Sequence, residues 1–371
     1  MNTKNQFEKK LGRFHFSFIF VSILNGLVFS VSCSQMGENQ NDTSNAQNLS
    51  LVATGLLLQG LSNQNFYNTP PTVKLNASYA VTKTTHVYAQ ALSHTPTWGS
   101  PTTSVVNLSL DLYVPDNAPT NRPAMILIHG GGFSTGSKED VNIVAMANYF
   151  TSRGWVCVSI NYRLISAYGT LSTAWGNYIL NNGSLSPAEK QQSYAMYPAA
   201  RDAKAAVRWL YANSTKYGIN TNHVTSLGGS AGSFLANMLG ITNASDFRDE
   251  PLTLTDTTLS TTNLTFGSKI HTIIDHWGGI NHMSYLQAIT GQSRFDANDP
   301  PISIVHGSAD VEVPITQAEA LRDAYIASGA PYTYNRLEGA GHGAWSATID
   351  GKTLSENAFS FIVTKQNLNT N

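Results

Sequence analysis

Four short apolar runs constrain this chain most: Met125 to Ile128, Val156 to Ile160, Ile270 to Ile274 and Ile302 to Val305. Each is strand-length, and none has the polar alternation of a half-exposed strand. Such runs suit a sheet covered on both faces by helices. A different pattern precedes them. Val106, Leu108, Leu110, Leu112 and Val114 alternate with Asn107, Ser109, Asp111 and Tyr113, which predicts a half-buried antiparallel strand near a sheet edge.

Helical segments separate the runs. Ser137 and Asp140 predict the cap of a helix reaching about Ser152, with Gly154 just past its end. Pro198 is expected to open the next helix, with Ala203, Val207 and Leu210 as its apolar stripe and Gly218 as its stop. Thr316 and Glu319 form a capping-box pattern before a helix ending at Gly329, and Leu354, Ala358, Phe361 and Ile362 mark a last one. Alternating strands and helices predict an α/β fold with a mostly parallel central sheet flanked by helices. Residues 164–197, rich in Tyr and Trp, and the Thr-rich residues 243–268 are too long for ordinary connections. The first is a candidate lid; the second reads equally as a lid or a surface loop.

The chemistry concentrates in three glycine-rich turns. Gly228-Gly229-Ser230-Ala231-Gly232 is a weak signal alone, but it lies between a strand, Val224 to Leu227, and a helix, Ser233 to Leu239. Glycines on both sides of such a bend permit a backbone geometry that a Cβ would oppose, thrusting Ser230 Oγ out at the helix N-terminus. His129-Gly130-Gly131-Gly132 follows the strand Met125 to Ile128, so its amides can approach a ligand oxygen closely. Glycine runs after strands also cradle phosphates, but no Lys-Ser/Thr pair follows this one. Asp310 and His342 each follow a strand's carboxyl end, where open α/β sheets place their sites. A serine hydroxyl becomes a useful nucleophile when a histidine takes its proton and an acid orients that histidine. Glu312 and Asp275 are rival acids. His306 is expected to brace the Asp310 turn and His129 to order the glycine loop. His271, His276 and His282 lack metal-ligand spacing, so neither metal nor cofactor is expected.

Composition narrows the function classes. Of 371 residues 42% are apolar, which excludes wholesale disorder, and a net charge of −1 leaves no basic footprint for nucleic acid. Two cysteines, Cys33 and Cys157, exclude a disulfide framework, and Cys157 reads as a buried, inert strand residue. Lys4, Lys9, Lys10 and Arg13 precede an apolar stretch from Phe14 to Val31 ending at Cys33, the layout of an export signal. It resembles a bacterial lipoprotein signal, in which the cysteine is acylated, although Ser30 stands where leucine is usual. An uncleaved anchor and a plain secretory signal are the alternatives. The expected organisation is a leader over 1–33, a polar tether over 34–75 carrying a short apolar segment from Leu51 to Leu61, and one catalytic domain over 76–371.

At these residues the chain resembles α/β-hydrolases of the carboxylesterase kind, in the feruloyl-esterase-like and hormone-sensitive-lipase-like branches. The shared phrases are His129 to Phe133 with Gly136-Ser137, Asn161-Tyr162-Arg163-Leu164, Tyr197-Pro198 with Asp202, Arg208-Trp209-Leu210, Gly228 to Gly232 with Leu235-Ala236, His306-Gly307 with Asp310 and Val313-Pro314, and Gly341-His342-Gly343. The likeness spans about residues 105–365. It implies a Ser230, Asp310, His342 triad in that fold's chain order, and an oxyanion hole from the amides of Gly131, Gly132 and Ala231. Gly229 replaces the acid usual before the serine, Ser233 replaces a second glycine, and the 164–197 insertion is long.

The expected function is a membrane-anchored serine esterase of the cell envelope, acting on small-molecule esters, with Trp277 or Trp345 shaping its pocket or packing the core. A serine peptidase on the same fold and a non-catalytic binding protein on a hydrolase scaffold are the alternatives.

Overall fold

The computed structural model describes residues 20–23, 26–29, 67–248 and 256–371. Its contacts divide the chain into Met1–Ser62 and Asn63–Asn371. In the first unit Phe20–Ile23 and Gly26–Phe29 pair as antiparallel strands. The rest of the expected leader, Cys33, and the tether as far as residue 66 lie outside the described residues. No helix among the described residues is long and apolar enough to cross a membrane.

The second unit is built on eight strands: β1 Val81–His94, β2 Thr103–Pro115, β3 Arg122–Ile128, β4 Val156–Ile160, β5 Ile219–Gly229, β6 Thr272–His276, β7 Ile302–Gly307 and β8 Tyr332–Leu337. Their spatial order is β1-β2-β4-β3-β5-β6-β7-β8. β2 runs antiparallel to both neighbours, and every pairing from β4 onward is parallel. Seven longer helices cover the sheet: α1 Val141–Thr151, α2 Thr173–Asn181, α3 Pro187–Ala212, α4 Ala231–Ile241, α5 Asn281–Thr290, α6 Thr316–Ser328 and α7 Leu354–Lys365.

Strand geometry explains the apolar runs. Ala124, Ile126 and Ile128 of β3 join one core with α3 and α4, while Met125 and Leu127 join the opposite core with α1 and α7. Successive side chains point to opposite faces, so a strand covered on both must be apolar at every position.

Several expectations change. β2 is antiparallel, next to the edge and exposed over residues 103–105 as expected. From Leu110 to Tyr113, however, it is buried on both faces, where Lys83 and Lys138 pair with Asp111 at 2.8 and 2.9 Å and Tyr113 packs in the second core. Pro198 does not open a helix. It lies inside α3, which begins at Pro187 behind a capping box of Ser186 and Glu189. Gly218 instead ends the short helix Ser214–Tyr217. Thr316 is not a cap: the residue before it, Ile315, is helical in its own backbone angles and makes no capping bond. Residues 67–75 belong to the folded unit, where Thr72–Val73 pairs with Asn369–Thr370 and Lys74 N–H donates to Arg153 O. In the Thr-rich stretch, residues 249–255 lie outside the described residues, while Thr258 and Leu259 are buried and Thr261 Oγ1 accepts from Gln90 N–H on β1.

Candidate active site

Ser230 sits between β5 and α4 at φ 55°, ψ −127°. That left-handed value is strained for serine, and its neighbours hold it there. Ser230 N–H donates to His276 O on β6 at 3.0 Å, while Ser233 N–H and Phe234 N–H close onto Ser230 O. A Cβ at Gly228 would run into the Gly232 backbone, and one at Gly232 into the Ile128 carbonyl. Strand, bend and helix therefore meet backbone to backbone, which requires both glycines. The two departures from the family pattern also find partners. A Cβ at Gly229 would lie 2.7 Å from the Trp345 ring, so indole occupies the space an acidic side chain would need. The Ser233 hydroxyl accepts His276 N–H at 3.0 Å.

The glycine loop after β3 turns on itself. Gly131 O accepts both Ser134 N–H and Thr135 N–H, and Gly131, Gly132 and Phe133 all have positive φ. His129 stacks on Tyr162 at 4.4 Å and donates from Nδ1 to Gly130 O, while Tyr162 Oη donates to His129 O. The expected bracing by His129 is thus present, and Tyr162 completes it. Among the described residues the amides of Gly131, Gly132 and Ala231 have no protein acceptor.

Asp310 follows β7. Its Oδ2 accepts His342 Nδ1–H at 2.7 Å, and its Oδ1 accepts the N–H groups of Glu312 and Val313. His306 Nε2–H, donating to Val313 O at 2.8 Å, lies 3.3 Å from Asp310 Oδ2, so it does brace this turn. With its Nδ1 proton held by a carboxylate, His342 presents Nε2 as the nitrogen able to accept one. Trp277 and Trp345 wall the imidazole, Trp277 with its ring centroid 6.4 Å away.

The rival acids separate clearly. Asp275 is fully buried, accepts from Asn237 Nδ2 and Gly278 N–H, and braces α4 against β6; burial raises its carboxyl above the usual range. Glu312 reaches His342 only from the opposite side, its Oε2 3.9 Å from Nε2. Ser230, His342, Gly131, Gly132 and Ala231 all line one cleft of about 850 Å³. Ser230 Oγ makes no hydrogen bond to His342 Nε2 here; such bonds often tighten only when substrate is held.

Residues 69–249 match the model of the carboxylesterase family, and residues 193–368 that of the prolyl oligopeptidase family. Esterase LipC of Mycobacterium tuberculosis is 26% identical over 253 residues, 63% of this chain and 56% of LipC. Esterase LipQ of the same organism is 25% identical over 267 residues, 67% of this chain and 57% of LipQ. The chain therefore spans about half the length of these curated relatives. Among solved structures, a truncated carbohydrate esterase from gut microbiota is similar at TM-score 0.51 and 22% identity, covering 81% of this chain and all of that one. Thermogutta terrifontis esterase 2 phosphorylated by paraoxon is similar at TM-score 0.51 and 21% identity, covering 75% of this chain and 95% of that one. The chain has the α/β-hydrolase fold.

In this α/β-hydrolase the 164–197 segment is helical for much of its length, and its second helix continues into the core. Trp175 of α2 is buried and donates from Nε1 to Ser193 O, while Glu189, Gln192 and Met196 of α3 line the cleft. Sequence reasoning missed these lining residues, although Ser186-Pro187-Ala188-Glu189 carried the signal of a helix start. Cys157 is buried, and burial pushes its thiol up to about 12.

Proposed function

We propose that the protein hydrolyses carboxylic esters through an acyl-enzyme, with Ser230 as nucleophile, His342 as base and Asp310 as the orienting acid. The observation that carries this reading is the 2.7 Å bond from His342 Nδ1 to Asp310, on the cleft wall that also holds the positive-φ Ser230. Ser230 Oγ would bond to the acyl carbon as its proton passes to His342 Nε2. The carbonyl oxygen, now an oxyanion, would accept from Gly131, Gly132 and Ala231, each such donor contributing ~10²–10³ in rate. Collapse expels the alkoxide, which takes the proton from Nε2, and water then repeats the cycle on the acyl-serine.

A fluorophosphonate probe tests the reading. Labelling should fall on Ser230 and vanish in Ser230→Ala, whereas a folded, unlabelled wild type would favour a binding protein on this scaffold. His342→Ala should lower kcat by roughly 10⁴–10⁶ without unfolding the chain. A second reading, peptide-bond hydrolysis, is favoured by the match of residues 193–368 to the prolyl oligopeptidase family. Turnover of peptide amides faster than of matched esters would establish it.

The charged leader and Cys33 also support export and lipid anchoring in a bacterial cell envelope. Incorporation of labelled palmitate that is lost in Cys33→Ser is the expected outcome.

A further inference from the structure

The cleft is charged on one side of the scale. Asp140, Glu189 and Glu312 line it, and among the described residues no lysine or arginine does. Two of these carboxylates serve helix ends. Asp140 caps α1, accepting from Asn142 N–H and Ile143 N–H, and Glu189 accepts Ser186 N–H in the capping box of α3. Glu312 is different. Its carboxylate makes no hydrogen bond among the described residues, its side chain is 71% exposed, and Oε2 lies 3.9 Å from His342 Nε2. Its backbone is fixed, because Glu312 N–H donates to Asp310 Oδ1 at 2.9 Å.

This placement matters because of what Nε2 must do. In the ester hydrolysis proposed above, on which this inference rests, Nε2 returns a proton to the departing alkoxide. The alcohol oxygen must therefore come within hydrogen-bond reach of Nε2, about 3 Å. The alcohol oxygen then lies no more than about 7 Å from the Glu312 carboxylate, and its substituents share that neighbourhood. Trp277 and Trp345 line the same cleft and carry no positive charge to offset the acid.

We infer that Glu312 is a specificity-determining residue that selects the alcohol half of the substrate by charge, favouring cationic alcohols and rejecting anionic ones. At that range and in partly solvated surroundings one unit charge shifts kcat/KM by a few-fold, so cation and anion separate by on the order of tenfold. The separation shrinks as salt screens the exposed carboxylate.

The test uses three acetate esters that share an acyl group and differ in the alcohol: choline, its neutral isostere 3,3-dimethylbutanol, and isethionate. In wild type the cation-to-anion ratio of kcat/KM should be about tenfold at low salt and should contract at 0.5 M NaCl. Glu312→Gln should bring the ratio to within about threefold, and Glu312→Lys should invert it, on the same charge argument. If Glu312→Gln leaves the ratio unmoved, or changes all three esters equally, the inference is overturned while ester hydrolysis stands. Wild type that cleaves none of the three overturns both together.

Discussion

Asp202→Ala provides a severe test of the packing logic. Arg163 follows β4 and Asp202 lies in the middle of α3; their side chains are 2% and 1% exposed. Asp202 accepts Arg163 Nη2–H at 2.7 Å, Nε–H at 2.9 Å and the Arg163 backbone N–H at 2.9 Å. The guanidinium reaches on to Leu92 O at 2.8 Å, joining β1 to the same knot. Deleting the carboxylate leaves a desolvated cation with carbonyl acceptors and Asp256 as its remaining acidic neighbour. Breaking a buried pair from one side costs about 3–5 kcal/mol. At about 2–3 °C per kcal/mol for a chain of this size, Tm should fall by roughly 6–15 °C. Thermal unfolding followed by circular dichroism measures it. The double variant Arg163→Met with Asp202→Leu should recover at least half the loss, because it removes the stranded charge. A fall of less than 2 °C in Asp202→Ala would refute the argument, showing that water or a neighbour satisfies Arg163 without its partner.

Other expectations follow from the same geometry. Asp310→Asn keeps an Oδ1 acceptor for Glu312 and Val313 but loses the carboxylate at His342 Nδ1, so kcat should drop by about 10⁴ with little change in Tm. Gly232→Ala drives a Cβ into the Ile128 carbonyl, and soluble protein should lose at least ~10² in ester turnover, an oxyanion-donor's worth of displacement. His276 and His282 are fully buried, and burial pushes each down to about 3. Both bind protons in the unfolded chain below about pH 6.5 but not in the folded one, so their stabilising contribution is complete above that pH and lost as pH falls toward 3. Denaturant midpoints should decline by the equivalent of about 2–3 kcal/mol per pH unit between pH 6 and 4, and a flat profile would count against their burial as neutral rings.

Much of this architecture could be read from the chain because its constraints are local. Val156–Ile160 has the bounds expected from sequence, and the glycines around Ser230 declare a bend by the side chains they lack. β1 escaped notice because its outer half, Val81 to Thr85, is Thr-rich and mostly exposed, so it lacks the apolar signature of its neighbours. Pro198 misled for a different reason: proline marks first turns by preference, yet here α3 carries it among buried neighbours, with Gly169 giving room for its ring. The carboxylate that meets His342 Nδ1 was legible at Asp310, since an acid after that strand suits the turn of this fold. The approach of Glu312 to the opposite nitrogen was not, because it depends on how two loops from different strands face one another.

The contact between Gly229 and Trp345 makes two distant sites in the chain answer to each other. An acidic residue introduced at 229 would need a smaller one at 345 to make room, and that exchange would strip an aromatic wall from beside the imidazole. Relatives that bear the acid should therefore carry a reshaped rim where this chain has its indole, and grafting either residue alone between them should harm the recipient.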